Sequence, residues 1–313
     1  MPRRLAVALV VLALLGIPAF TTDPYWLHVL IMSALNVSLA LSLRVLWNVG
    51  VLSCGHAALM GVGAYASALL ATRTGASAWL GLFVGAGAAV VVAVGLGYLS
   101  LRLRGIYFVL VTFAFNEVFF LVVNRWRDVT GGPSGIVGIP RFTGLPPGRA
   151  PYYYLALGLL ALTVVVLHRL ERSHVGRIWF AIRDADLRAQ CVGINTVFYR
   201  VLAFVTSAVF AGAWGAFYAH YQRVVAPTDF TVWQSVYLQL YMIVGGAAAF
   251  TGPILGGATL TIVTELIRAT GPLVSVIYGI LLTSVMLFLP GGLVSLRAGL
   301  ASARWRHSSK STA

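Results

Sequence analysis

Apolar residues run through this chain in long blocks separated by short polar stretches. The blocks predict helices near residues 5–20, 25–43, 51–71, 78–99, 106–123, 152–167, 201–221, 235–250, 254–267 and 273–289. A helix that crosses a bilayer needs about 20 residues. Several blocks are shorter, so they are expected to run obliquely, re-enter, or extend into flanking polar residues. The pattern predicts an all-α polytopic membrane protein with about ten transmembrane helices, some short or broken. It forms a single domain over 1–313, because no soluble stretch is long enough to build a second core.

Two blocks carry a finer pattern. In 201–221, Ser207, Ala211, Gly215 and Ala219 fall at four-residue steps, and Ala208, Gly212 and Ala216 lead beside them to His220. In 51–71, Ala57 pairs with Gly61 and Ala64 with Ala68. Small residues on one stripe let membrane helices approach closely, and packing alone accounts for them. Glycine and proline interrupt the later blocks at Gly245-Gly246, Gly252-Pro253, Gly256-Gly257, Gly271-Pro272 and Gly291-Gly292. Interrupted helices persist in a bilayer where they are buried or line a cavity, which points to a transport path.

The polar stretch from Ser173 to Asn195 has its own period. Ile178, Ile182, Ala185, Ala189 and Val192 recur at helical spacing, Asp184 and Arg188 stand four apart as a helical ion pair would, and Gly193 ends the helix. Nothing in its own loop covers the apolar face. A groove on a partner protein would do so; the plainer reading is a solvated connector.

Composition supports the membrane reading. Of 313 residues, 59% are hydrophobic and 10% charged, against roughly a quarter charged in soluble domains; mean hydropathy is +0.90. The net charge of +14 comes from arginines scattered through the loops, as the positive-inside rule and lipid headgroups require, and does not imply nucleic-acid binding. Arg3, Arg4, Arg44, Arg102, Arg104, the 168–200 loop and the 294–313 tail are expected in the cytoplasm, with both termini. The 124–151 loop, despite Arg125, Arg127, Arg141 and Arg149, is expected to be periplasmic, as is 222–234. Residues 5–20 lack a small-x-small cleavage pattern and are taken as a retained helix.

Candidate chemistry is sparse. Cys54 and Cys191 have no metal-ligand spacing. The lone lysine, Lys310, rules out a nucleotide-binding GxxxxGK[ST] loop, and no HExxH is present. Glu117 and His56 lie within apolar blocks, where an ionisable group is costly and hence either functional or hydrogen-bonded between helices. Glu265 has Arg268 three residues on as an interfacial partner. Gly132-Pro133-Ser134-Gly135 fits the GxSG of intramembrane serine proteases, but nothing in the sequence places a base beside Ser134.

Four ordered stretches resemble the LivM-type permease subunit of branched-chain amino acid ABC importers. They are Gly50–Tyr65; Leu101–Phe108 with Thr112, Phe115 and Glu117, continuing to Thr130–Pro140; Gly176–Asn195 with the small-residue helix behind it; and Gly245-Gly246, Gly252-Pro253 and Leu289–Leu293. Trp47 stands where the family usually has glycine. The resemblance implies a coupling loop that docks on an ATPase through Arg177, Ile182, Arg183, Asp184, Asp186, Ala189 and Gly193. It implies a substrate path for which Ser53, His56, Tyr65, Thr112, Asn116 and Glu117 are the candidates. Implied partners are a second, LivH-type permease subunit, two ATP-binding subunits and a periplasmic substrate-binding protein. ATP and Mg belong to the partner ATPases, and this chain binds no cofactor. The substrate stays open between branched-chain amino acids and urea or short-chain amides.

Overall fold

The computed structural model describes residues 15–16, 23–100, 105–146, 148–267, 279, 283, 287 and 292–295. Most of the stretches 5–20 and 273–289, where helices are expected, lies outside them, as do Arg268, Gly271-Pro272 and the tail beyond Ser295. The chain forms α1 (Pro24–Trp47), α2 (His56–Thr74), α3 (Ala78–Ser100), α4 (Ile106–Arg125), α5 (Arg127–Thr130), β1 (Ile136–Val137), α6 (Ala150–Arg172), α7 (His174–Cys191), α8 (Thr196–Gln222), β2 (Val224–Val225), α9 (Val232–Gly245) and α10 (Gly252–Ile267). Five of these, α1, α3, α4, α6 and α8, are long and apolar enough to cross a membrane, and α10 is a shorter apolar helix.

Local chemistry sets the helix ends. The Asp23 carboxylate caps the Tyr25 N–H at 2.9 Å, with Pro24 in the first turn of α1. The small-residue stripes then decide the packing. α8 lies at the centre, with α2 and α3 against it. Ser207, Ala208, Ala211 and Ala219 of α8 are fully buried, as are Ala57, Ala64 and Ala68 of α2. A Cβ on Gly63 would fall on the backbone of Gly212, and one on Gly215 would meet the carbonyl of Met60. Polar bonds cross the same bundle: the Ser207 hydroxyl donates to the Ser42 carbonyl at 2.8 Å, Trp214 Nε1 to Thr163 at 3.2 Å and Asn36 Nδ2 to Thr261 at 3.1 Å.

Gly63→Val is therefore expected to destabilise the bundle by about 1–3 kcal/mol, the usual cost of overpacking. Gly87→Val on α3, where a Cβ meets open space, serves as the control. Thermal-shift size-exclusion chromatography in detergent compares the two. Equal melting would refute the close crossing.

The structure corrects two boundaries. α2 begins at His56, and residues 51–55 belong to the turn before it. α9 runs from Val232 to Gly245 and stops at Gly246, whose φ of 109° suits glycine. At 14 residues α9 is about 21 Å long, too short to span the roughly 30 Å apolar layer. Nor does it start at the end of the bundle. Asn116 Nδ2, midway along α4, donates to the Phe230 carbonyl at 3.0 Å, and the Ala57 N–H donates to Ser235 at 2.9 Å. Thus 222–234 is not a simple outer loop. It leaves β2, passes through a 3₁₀ turn at Pro227–Phe230 and enters the bundle before α9 begins. β1 and β2 pair antiparallel, Ile136 with Val225 and Val137 with Val224. His220 anchors the same end, bonding Ser67 at 2.8 Å and the Pro140 carbonyl at 2.7 Å.

Candidate functional site

Two sets of candidate residues come from the sequence, and the structure places them at different levels of the bundle. The polar loop folds as α7. The Ser173 hydroxyl accepts the Gly176 N–H at 3.4 Å, and the helix breaks at Ala185 (φ −159°, ψ 77°). The break explains why Asp184 and Arg188 make no ion pair among the described residues, since their four-residue spacing no longer places them one turn apart. Asp186 instead pairs with Arg200 of α8 at 3.0 Å.

The apolar face of α7 is not left open. Ile178, Trp179, Ile182 and Ala189 are buried within this chain, against α6 and α8, and Trp179 Nε1 donates to the Tyr199 carbonyl at 3.0 Å. The expectation that this face awaits a partner's groove is thereby corrected. Periodicity shows that a face is covered without showing what covers it, and α7 folds back on its own bundle. Arg183 lies 4.8 Å over the ring of Trp47, so the tryptophan found where a glycine is usual serves as a platform for α7. The exposed residues are His174, Arg177, Ala181, Arg183, Asp184, Leu187, Arg188, Gln190 and Cys191, with Val192 beyond the helix end. Arg177, Ala181 and Asp184 form one helical stripe before the break. Leu187 and Val192, after it, are 67% and 75% exposed. Gly193 ends the element at φ 84°, a conformation that suits glycine.

The cationic side chain behind α7 was expected to be an ordinary loop arginine. Arg44 is instead 3% exposed. It pairs with Glu171, two residues before the Ser173 cap, and donates to the carbonyls of Ala247 and Ala248 at 3.0 and 3.1 Å. One guanidinium thus joins α1, the root of α7 and the turn between α9 and α10.

The candidate path residues cluster, with one exception. Ser53, His56, Thr112 and Asn116 are fully buried, and Tyr65 nearly so. His56 Nε2 pairs with the Ser42 hydroxyl at 2.9 Å. Thr112 accepts the Cys54 N–H at 3.1 Å, and the Ser53 carbonyl accepts Gln239 Nε2 at 3.1 Å. Asn116 accepts the Ala58 N–H at 3.0 Å while holding Phe230. Tyr65 stands edge-on to Phe119 and Phe230. These groups tie the start of α2 to α4 and to the start of α9, fixing the interrupted backbone. Glu117 stands apart, half-buried on the outer side of α4 among the exposed side chains Phe113, Val118 and Leu121. Ser134 is exposed in its 3₁₀ turn, and among the described residues no histidine bonds to it. Sequence reading missed Asp229, at the mouth of the interrupted segment. Its signal was an acid beside Pro227 between two apolar blocks, in a chain with only eight acidic residues.

Residues 25–306 match the family described as "Branched-chain amino acid transport system / permease component". Two curated relatives are each named "High-affinity branched-chain amino acid transport system permease protein LivM". That of Escherichia coli (strain K12) is 30% identical over 296 residues, covering 86% of this chain and 68% of the relative. That of Salmonella typhimurium (strain LT2) is 30% identical over 292 residues, covering 85% and 69%. No solved structure matches the chain. The match runs through the interrupted helices, the α7 segment and the small-residue crossing alike. The chain belongs to the branched-chain amino acid transport system permease family: it is a multi-pass membrane permease subunit of a multi-component transporter, and not an enzyme.

Proposed function

We propose that this chain forms half of the transmembrane pathway of an ATP-driven importer for leucine, isoleucine and valine. The observation that carries the ATP-driven part is α7: a helix clamped to its own bundle by Trp179, Arg183 and Asp186, with a mixed polar and apolar stripe facing outward. A rigidly seated helix can pass movement on to the membrane helices, which a loose connector cannot do. Closure of two ATP-binding subunits shifts the permease only if α7 is held differently in the two states. ATP and Mg serve those subunits.

The substrate class follows the names of the relatives. Glu117 supports a second permease subunit of the LivH type. A carboxylate facing lipid is costly, and a polar partner surface against α4 removes that cost. A periplasmic binding protein delivers the amino acid to the end that carries β1 and β2. The arginines at the α7 end support a cytoplasmic setting for that end, and with it for both chain termini, in a bacterial inner membrane.

The test is uptake of labelled leucine and of labelled urea in cells lacking this chain, with and without its restoration. Restored leucine uptake alone is the expected result. Restored urea uptake without leucine would overturn the substrate.

A further inference from the structure

A cavity of about 360 Å³ opens where α1, α2, α8 and α10 surround the interrupted segment before α9. Its volume is in the range that holds a small ligand. One wall is apolar, formed by Met32 and Leu35 of α1 and Met60 of α2. The lining also includes Asp229 from the 3₁₀ turn, Tyr218 from α8, Gln234 from the first turn of α9 and Glu265 of α10. Among the described lining residues two are carboxylates and none is an arginine, lysine or histidine. None of the polar groups expected from the sequence to form the path lines it. They sit behind it and hold its backbone in place.

The position of Asp229 is set by the backbone and by a hydrogen bond with the Tyr218 side chain. One carboxylate oxygen accepts the Ala226 N–H at 3.1 Å, which turns the chain into the 3₁₀ segment. The side chains of Gln234, Asn36 and Thr261 add neutral polar groups to the lining. The Asp229 carboxylate, the apolar wall and the Gln234 amide match the three parts of an aliphatic α-amino acid: ammonium, branched side chain and carboxylate. Urea has no charge for Asp229 to hold and no alkyl group for the methionines.

We propose that this cavity is the site an amino acid occupies as it crosses, with Asp229 holding the α-ammonium and Met32, Leu35 and Met60 holding the aliphatic side chain. This rests on the reading of the chain as an amino-acid permease and adds to it the residues that distinguish a zwitterion from a neutral amide.

The experiment uses the complete importer reconstituted in proteoliposomes, with leucine saturating the binding protein. Asp229→Asn keeps an oxygen to accept the Ala226 N–H and removes the charge. Its uptake rate is expected to fall at least tenfold, with subunit assembly unchanged, and Asp229→Glu is expected to recover part of the loss. Met60→Phe narrows the apolar wall and is expected to shift the leucine-to-alanine uptake ratio several-fold towards alanine. Wild-type leucine uptake by Asp229→Asn, or an unchanged ratio in Met60→Phe, would overturn the site while leaving the importer reading intact. A wild-type assembly that carries urea and not leucine would instead overturn the reading on which the site rests.

Discussion

Leu187→Glu is expected to strip the ATP-binding subunits from the permease on co-purification and to lower uptake more than tenfold, with normal expression and normal melting of the permease itself. Leu187 follows the break at Ala185 and is 67% exposed on the outward face of α7. A docked partner would bury it. A carboxylate buried there without a partner costs several kcal/mol, and each 1.4 kcal/mol is a factor of ten in affinity. Ala189→Glu provides the contrast. Ala189 is 5% exposed and faces its own chain, so the charge would act on the seating of α7 and lower the yield of folded permease. Gly193→Val forces a β-branched residue to φ 84° with open space around it. Its effect is strain alone and milder than either. Wild-type pull-down and transport by Leu187→Glu would show that the outward face of α7 is a solvated surface.

Arg44→Ala is expected to destabilise the chain by about 3–5 kcal/mol, the range for removing one member of a buried ion pair. The loss leaves Glu171 without its partner and removes the donors to the carbonyls of Ala247 and Ala248. Phe250, 5.7 Å beneath the guanidinium, loses a cation–π contact as well. Arg44→Lys should recover only part, because a single ammonium cannot satisfy the separate directions that the guanidinium fork serves. Thermal unfolding in detergent measures the stability, and uptake at permissive temperature measures coupling. If Arg44 joins the root of α7 to the α9–α10 turn as a working link, Arg44→Lys loses uptake beyond what its melting explains. A melting curve for Arg44→Ala within a degree of wild type would refute the buried link.

The parts of this fold that were legible in the sequence have a single physical cause. Ser207, Ala211 and Gly215 could be read as a close crossing because small residues at four-residue steps have few other uses in a membrane helix. Gly245-Gly246 could be read as an interruption because glycine pairs rarely continue a helix. The illegible parts depend on what lies opposite. Ile178 and Ile182 announced a covered face, yet only the tertiary fold says that α6 and α8 cover it. Arg44 looked like other loop arginines, since charge and position are the same whether a guanidinium meets water or Glu171. The path candidates were chosen for polarity within apolar blocks. That criterion selects groups that bond to each other across helices, such as Asn116 and Ser235, as readily as groups that meet a substrate. Asp229 escaped it by lying between blocks, in a segment that reads as an outer connection and folds inward.

The pairing of β1 with β2 spans only two residues on each strand, too short to be stable by itself. It works as a latch. Ile136 and Val137 belong to the long outer connection, and Val224 and Val225 lead directly into the turn that carries Asp229. A load on the outer connection therefore reaches that turn through a joint that can release while the helices around it stay folded. Backbone amides at Val225 and Ile139, the latter bonded to the Arg223 carbonyl at 3.2 Å, should exchange with deuterium sooner than those of α8, and this end can then open without any long helix giving way.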